Sequence, residues 1–316
     1  MARESRGSMT LTRRAFVGGL VGLSGVLVAC GGKGGSSAGS IPSAAASTDT
    51  ATPVYADASL LVEAASLAAE RSDVHIIALT SAKDFADGHI ASASWIDWPD
   101  LNISDTSSDA ALQNWQQRME QKLGALGLTP GDRIVAYDHG TLFAARLWWV
   151  LDYLGQPEKR VLNGGLAVWK NAGQPTTTMA LNPTAATYSG AVDSSVLARL
   201  DEVRDALNQP DVVFVDARAS SEYAAGHLPG AVNIQYTENA MGGPAPLWKP
   251  QDALRQMYTA AGVTTDKTII PYCSTGVRSA VTYFTLRLIG YEKLKLFTGS
   301  WAEWSAHPDL PVEKGT

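Results

Sequence analysis

The chain has 316 residues, 45% hydrophobic and 18% charged, which is enough length for about two globular domains. Its formal net charge is -6, and loss of residues 1–29, which hold four Arg and one Glu, would leave it near -9. Such acidity argues against nucleic acid as a partner, because that calls for a basic face, but a small anionic ligand needs only a local positive pocket.

Arg3, Arg6, Arg13 and Arg14 precede an uncharged apolar stretch, Phe16 to Ala29. That order reads as an export leader, since fourteen residues fall short of the roughly twenty that span a bilayer. Thr12-Arg13-Arg14-Ala15-Phe16-Val17 resembles a twin-arginine signal, and Leu27-Val28-Ala29-Cys30 resembles a bacterial lipobox. The resemblance implies cleavage before Cys30, a lipid on its sulfur, and a protein exported and anchored to the bacterial cell envelope. Residues 30–52 are mostly Gly, Ser, Ala and Thr and are expected to be a flexible tether reaching about 25 Å. With Cys30 assigned to lipid, Cys273 is the one remaining thiol, so an internal disulfide is excluded and chemistry is the better reason to keep it.

From residue 72 the chain repeats itself. Ile134-Val135-Ala136-Tyr137-Asp138 aligns with Ile269-Ile270-Pro271-Tyr272-Cys273 at an offset of 135. The same offset carries Gly155 onto Gly290, Gly164 onto Gly299 and Trp169 onto Trp304. Upstream, Phe85 to Ile90 pairs with Tyr223 to Leu228 at an offset of 138. Short apolar runs (Val74 to Leu79, Ile134 to Tyr137, Val212 to Val215, Thr268 to Tyr272) alternate with helical patterns such as Ala144 to Leu154 and Ala280 to Ile289. This alternation predicts an α/β fold, with a small parallel sheet flanked by helices in each half. Gly155 and Gly290 stand where helices stop. The expected division is 72–178 for the first half, 179–200 for a linker and 201–314 for the second half.

Tyr272-Cys273-Ser274-Thr275-Gly276-Val277-Arg278-Ser279 leaves a buried strand, turns through small residues and enters a helix. Backbone N–H groups and a helix N-terminus then face whatever lies over the sulfur, favouring thiolate and anionic ligands. Gly276 permits the tight turn, and Arg278 adds a permanent positive fork. A buried inert cysteine is the ordinary alternative, but the end of a parallel strand is where open α/β sheets hold ligands.

Over roughly residues 72–314 the chain resembles the tandem-domain rhodanese family of thiosulfate and 3-mercaptopyruvate sulfurtransferases. Tyr223 to Ala231 resembles its Gly-His-Ile-Pro-Gly-Ala signature, Cys273 to Arg278 its six-residue active loop, and Gly299 to Trp304 its C-terminal signature. The resemblance implies two rhodanese-like domains, a catalytic second half, and a first half that carries Asp138 in place of the cysteine. It also implies a Cys273 persulfide that moves sulfur from a small anionic donor to a thiol, cyanide or protein acceptor, with Ser274, Thr275, Gly276, Val277, Arg278 and Arg218 as substrate-binding residues. No cofactor is implied, and no His or Cys cluster has metal spacing. Phosphatases of similar loop design place Arg six positions after the cysteine, whereas Arg278 stands five after Cys273, which favours sulfur over phosphate. A tethered persulfide carrier or redox-sensing binding protein with little turnover is the alternative. Glu222, where many relatives carry a substrate-binding Arg, and Ser274 and Thr275 leave the donor open between thiosulfate and 3-mercaptopyruvate. His89 and His227 hold matching positions and are expected to be structural, and Arg146 is open between facing the cleft between the halves and an exposed or structural ion pair.

Overall fold

Short all-apolar runs become the central strands of two parallel sheets, one per half. The structure, a computed structural model, describes residues 54–315. The leader, Cys30 and the whole of the tether expected over residues 30–52 lie outside those residues. In the first half the elements are β1 (Leu61–Val62), α1 (Ala64–Glu70), β2 (His75–Leu79), α2 (Ala82–Ala86), β3 (His89–Ile90), β4 (Ala93–Ile96), α3 (Asp109–Ala125), β5 (Ile134–Tyr137), α4 (Ala144–Tyr153), β6 (Lys159–Leu162), α5 (Gly165–Asn171) and β7 (Thr176–Thr177). The second half adds α6 (Leu200–Asp205), β8 (Val212–Asp216), α7 (Ser220–Ala225), β9 (Val232–Asn233), α8 (Gln251–Ala260), β10 (Thr268–Tyr272), α9 (Val277–Leu288) and α10 (Ser300–Trp304). No described helix is long and apolar enough to cross a membrane.

The first sheet runs β1-β6-β5-β2-β4, parallel throughout. The second runs β10-β8-β9, and parallel bridges Ile269 to Leu294 and Leu197 to Leu296 continue it outward. With those bridges counted, both halves share one order, so the sequence repeat is a repeat of topology. All of β5 is buried, as a strand covered by helices on both faces must be. Gly155 and Gly290, at φ 69° and 89°, follow the last turns of α4 and α9 in the left-handed conformation that ends a helix.

Helices α4 and α9 face each other across the two halves. Nine of the ten α4 residues are buried, a pattern that requires apolar partners all round. Trp148 meets the Phe284 ring edge-on at 5.1 Å, and Phe284 also lies 5.0 Å from Trp248. The largest apolar cluster therefore draws on both halves, from Trp115 and Trp149 to Phe284 and Leu296, while smaller clusters cover the outer sheet faces.

Two expected boundaries move. Leu61 and Val62 already form a strand of the first sheet, ahead of residue 72, because they pair with Val161 and Leu162. Of the segment expected to be a linker, 179–200, the stretch around Ala186 and Tyr188 is laid against the first half, where Ala186 donates to the Gly124 carbonyl at 2.8 Å and buried Tyr188 donates to Gln156 Oε1 at 2.8 Å, while Leu197 and Leu200 already belong to the second half. A Cβ on Gly124 would stand 2.6 Å from the Ala186 carbonyl oxygen, so glycine lets the strap approach α3.

Candidate active site

Strand β10 delivers Cys273 into a loop that turns at Gly276 and becomes α9. Gly276 has φ 87°, and a Cβ there would lie 2.6 Å from both the Thr298 carbonyl oxygen and its hydroxyl. Only glycine fits this turn without displacing its neighbours. The Gly276 N–H donates to Cys273 Sγ at 3.2 Å, and the Ser279 hydroxyl donates to it from 3.5 Å. Sγ also faces the start of α9, whose first N–H groups have no intrahelical acceptor. Cys273 itself is 1% exposed.

The first half shows what such a loop does to an anion. Asp138 Oδ1 accepts from the Gly140 and Thr141 N–H groups at 2.7 and 2.8 Å, and Oδ2 accepts from Ala144 at 3.0 Å. A carboxylate thus sits in the cradle of N–H groups that the second half builds round a sulfur.

Beneath Cys273 the loop is locked to α10. Trp301 and Ala302 donate to the carbonyls of Cys273 and Ser274 at 2.9 and 3.0 Å, and the Cys273 N–H donates to Ser300 Oγ at 3.1 Å. Ser300 holds φ 57°, where the first half has Gly165 at 58°. Its hydroxyl donates onward to the Phe297 carbonyl at 2.8 Å, offsetting the strain of a left-handed serine. Gly299 is required because Glu303 Oε2 fills the position its Cβ would take. Buried Glu303 reaches across to the first half, accepting from the Thr106 N–H at 2.5 Å and its hydroxyl at 2.7 Å.

Of the expected binding residues, Ser274, Gly276 and Arg278 gather at the loop. Thr275 lines a pocket of about 530 Å³ with Asn102, Trp115 and Arg118 of the first half. Val277 is buried, so its side chain belongs to the core and only its backbone is available to the site. Arg278 reaches the lip, but its nitrogens close on Glu222 at 2.7 and 2.9 Å and on Ser274 Oγ at 2.6 Å. The Arg278 hydrogen bonds hold the Glu222 carboxyl far below its ordinary range, at about 2.

Arg218 departs from the expectation of substrate contact. It is 2% exposed, its guanidinium is occupied by Asp216 and by the Gly226 carbonyl at 2.7 Å, and it lies 4.6 Å from the Trp301 ring centroid. It braces the wall behind the loop. His89 and His227 are equivalent: each places Nδ1 2.8 Å from a carbonyl four residues earlier and stacks on the ring of that residue, Phe85 or Tyr223.

Sequence reasoning missed Ser300, the Thr106 to Glu303 clasp, and the Glu222 to Arg278 pair. The mismatch of Ser300 with Gly165 in the repeat was the available signal for the first. The other two join distant segments and leave no local pattern.

The rhodanese-like domain family matches residues 61–172 and 199–307. A thiosulfate sulfurtransferase of Azotobacter vinelandii is 32% identical over 270 residues, covering 82% of this chain and 98% of that protein. A 3-mercaptopyruvate sulfurtransferase of Escherichia coli K12 is 30% identical over 244 residues, 73% of this chain and 85% of that one. The crystal structure of SseA from Escherichia coli, described as a rhodanese fold, superposes with a TM-score of 0.68 at 26% identity over 77% of this chain and 98% of that one. With a matched domain in each half and relatives of this identity along most of its length, the chain belongs to the rhodanese-like family.

Proposed function

We propose that the protein is a sulfurtransferase that works through a persulfide on Cys273. The observation carrying this reading is the sulfur placed where Asp138 shows the loop gathering N–H groups on an anion. Thiosulfate is the preferred donor and 3-mercaptopyruvate the second. Cys273 thiolate attacks the sulfane sulfur of thiosulfate, a new S–S bond forms, and the old one breaks with its electron pair leaving on sulfite. Sulfite needs no proton to depart, which suits a site whose loop presents N–H donors and no general acid. An acceptor nucleophile then attacks the terminal sulfur, and the Cys273 thiolate leaves. With cyanide as acceptor the product is thiocyanate. Steady thiocyanate formation that disappears in Cys273→Ser is the expected result. A variant with full activity would refute the persulfide, and a single stoichiometric burst in the parent would favour a carrier.

The export signal and the lipid on Cys30 are part of the same proposal and rest on residues 1–30 alone. They place the sulfur chemistry at the bacterial envelope. Detergent-phase partitioning of the full chain, lost in Cys30→Ser, is the expected behaviour, and equal partitioning of both would refute the anchor.

A further inference from the structure

Thr275 and Ala302 form one wall of the cavity of about 530 Å³ whose other walls, Ile103, Asp105, Trp115 and Arg118 among them, belong to the first half. Thr275 follows Cys273 by two residues, and two steps of about 3.8 Å bound their Cα separation at about 7.6 Å. The cavity therefore adjoins the sulfur loop. Its walls are held in place: Ala302 donates to the Ser274 carbonyl at 3.0 Å, and the Leu101 carbonyl accepts from the Trp115 indole at 3.2 Å and from buried Arg146 at 2.7 Å.

The space fits an organic molecule better than an inorganic anion. Thiosulfate is a compact dianion with no use for an apolar face, whereas buried Trp115 and Ile103 present one, and the volume falls among the roughly 300–1,000 Å³ pockets that enclose organic ligands. The polar groups carry both signs. Exposed Arg118 makes one polar contact among the described residues, a long 3.5 Å approach to the Asn102 carbonyl. Asp105 commits Oδ1 to the Ser107 and Ser108 N–H groups at 3.0 and 3.1 Å and to the Ser107 hydroxyl at 2.8 Å, and Oδ2 meets no donor among the described residues. Asn102, also in the wall, has a buried Oδ1 without a donor. A guanidinium fork takes a carboxylate, a carboxylate oxygen takes an ammonium, and an amide oxygen takes a peptide N–H. A short peptide carries all three.

We infer that this cavity is the acceptor subsite and that its occupant is a short zwitterionic peptide thiol, its carboxylate on Arg118 and its ammonium on Asp105. The assignment rests on Cys273 carrying the persulfide. A tripeptide spans about 10 Å at roughly 3.3–3.6 Å per residue, enough to lie in the cavity and carry its sulfur past Thr275. The thiol gives its proton to water, and its thiolate attacks the terminal sulfur of the persulfide. A new S–S bond forms on the peptide as the Cys273 S–S bond breaks, and that electron pair returns to Cys273 as thiolate.

S-Methylglutathione has the charges of a peptide thiol and no nucleophile, so it reads the cavity without sulfur transfer. Calorimetric titration of the full chain should show one site, weakened about three- to tenfold in Arg118→Gln and lost in Ala111→Phe, which puts a ring into the cavity. No binding by the parent, or equal binding by parent and Arg118→Gln, overturns the inference whether or not sulfur is transferred. In steady-state transfer from thiosulfate, Arg118→Gln should raise KM for glutathione by the same factor and leave that for uncharged 2-mercaptoethanol unmoved. A rise in KM for thiosulfate instead, or equal rises for both thiols, overturns it too. A parent that binds S-methylglutathione in this pattern but never loads sulfur refutes the persulfide, and the acceptor role with it, while keeping the ligand.

Discussion

Glu222 is the residue that most separates this site from the expected one. Its carboxylate occupies the fork of Arg278 that a donor anion would otherwise enter, and it accepts from Ser274 at 3.3 Å. Glu222→Gln should loosen that fork and lower KM for thiosulfate about three- to tenfold, a change of roughly 1 kcal/mol, with little effect on kcat. Steady-state kinetics with varied thiosulfate checks this, and an unchanged or higher KM contradicts it. The pH dependence has a definite sign. Because the folded Glu222 titrates at about 2 against an ordinary 4.5, the ion pair adds stability above the ordinary range and loses it as pH falls toward 2. Melting curves of the parent and the Gln variant should thus run parallel above about pH 5 and converge in acid.

At the scale of the element, the active loop depends on a turn that only glycine makes. Gly276→Ala would place a methyl group 2.6 Å from Thr298 in a left-handed conformation, and should cost about 2 kcal/mol of stability and more than tenfold in turnover. Gly262, at φ 77° with nothing within 4 Å of a Cβ, is the control, and its Ala variant should lose about 1 kcal/mol and keep its turnover. Thermal melts with thiocyanate assays decide it, and equal effects at both sites would contradict the account. These elements were legible in the sequence because their signals are local. Ile134 to Tyr137 and Thr268 to Tyr272 are short apolar runs, Gly155 and Gly290 mark helix ends, and Cys273 begins a small-residue turn. What was not legible depends on approach between segments far apart in the chain. The closure of Glu222 on Arg278 spans 56 residues, the Glu303 clasp on Thr106 spans 197, and Leu61 joins its sheet by pairing a hundred residues on.

For the whole molecule, the two halves share one apolar core through α4 and α9, and the first half braces the candidate site through the Thr106 to Glu303 contact. Trp148→Ala would leave a cavity against Phe284 and should cost about 3–5 kcal/mol, with one cooperative transition retained. Calorimetry showing two separate transitions in the parent would contradict a shared core. The duplicated chain thus commits one loop to a carboxylate, Asp138, and the other to a sulfur, Cys273. The most direct test of that claim is the intact mass of the folded chain after exposure to thiosulfate in the absence of acceptor. The account predicts a gain of one sulfur atom that localises to Cys273, is removed by cyanide and is absent from Cys273→Ser. An unchanged mass under saturating thiosulfate and 3-mercaptopyruvate alike, or an equal gain in the Ser variant, would contradict it.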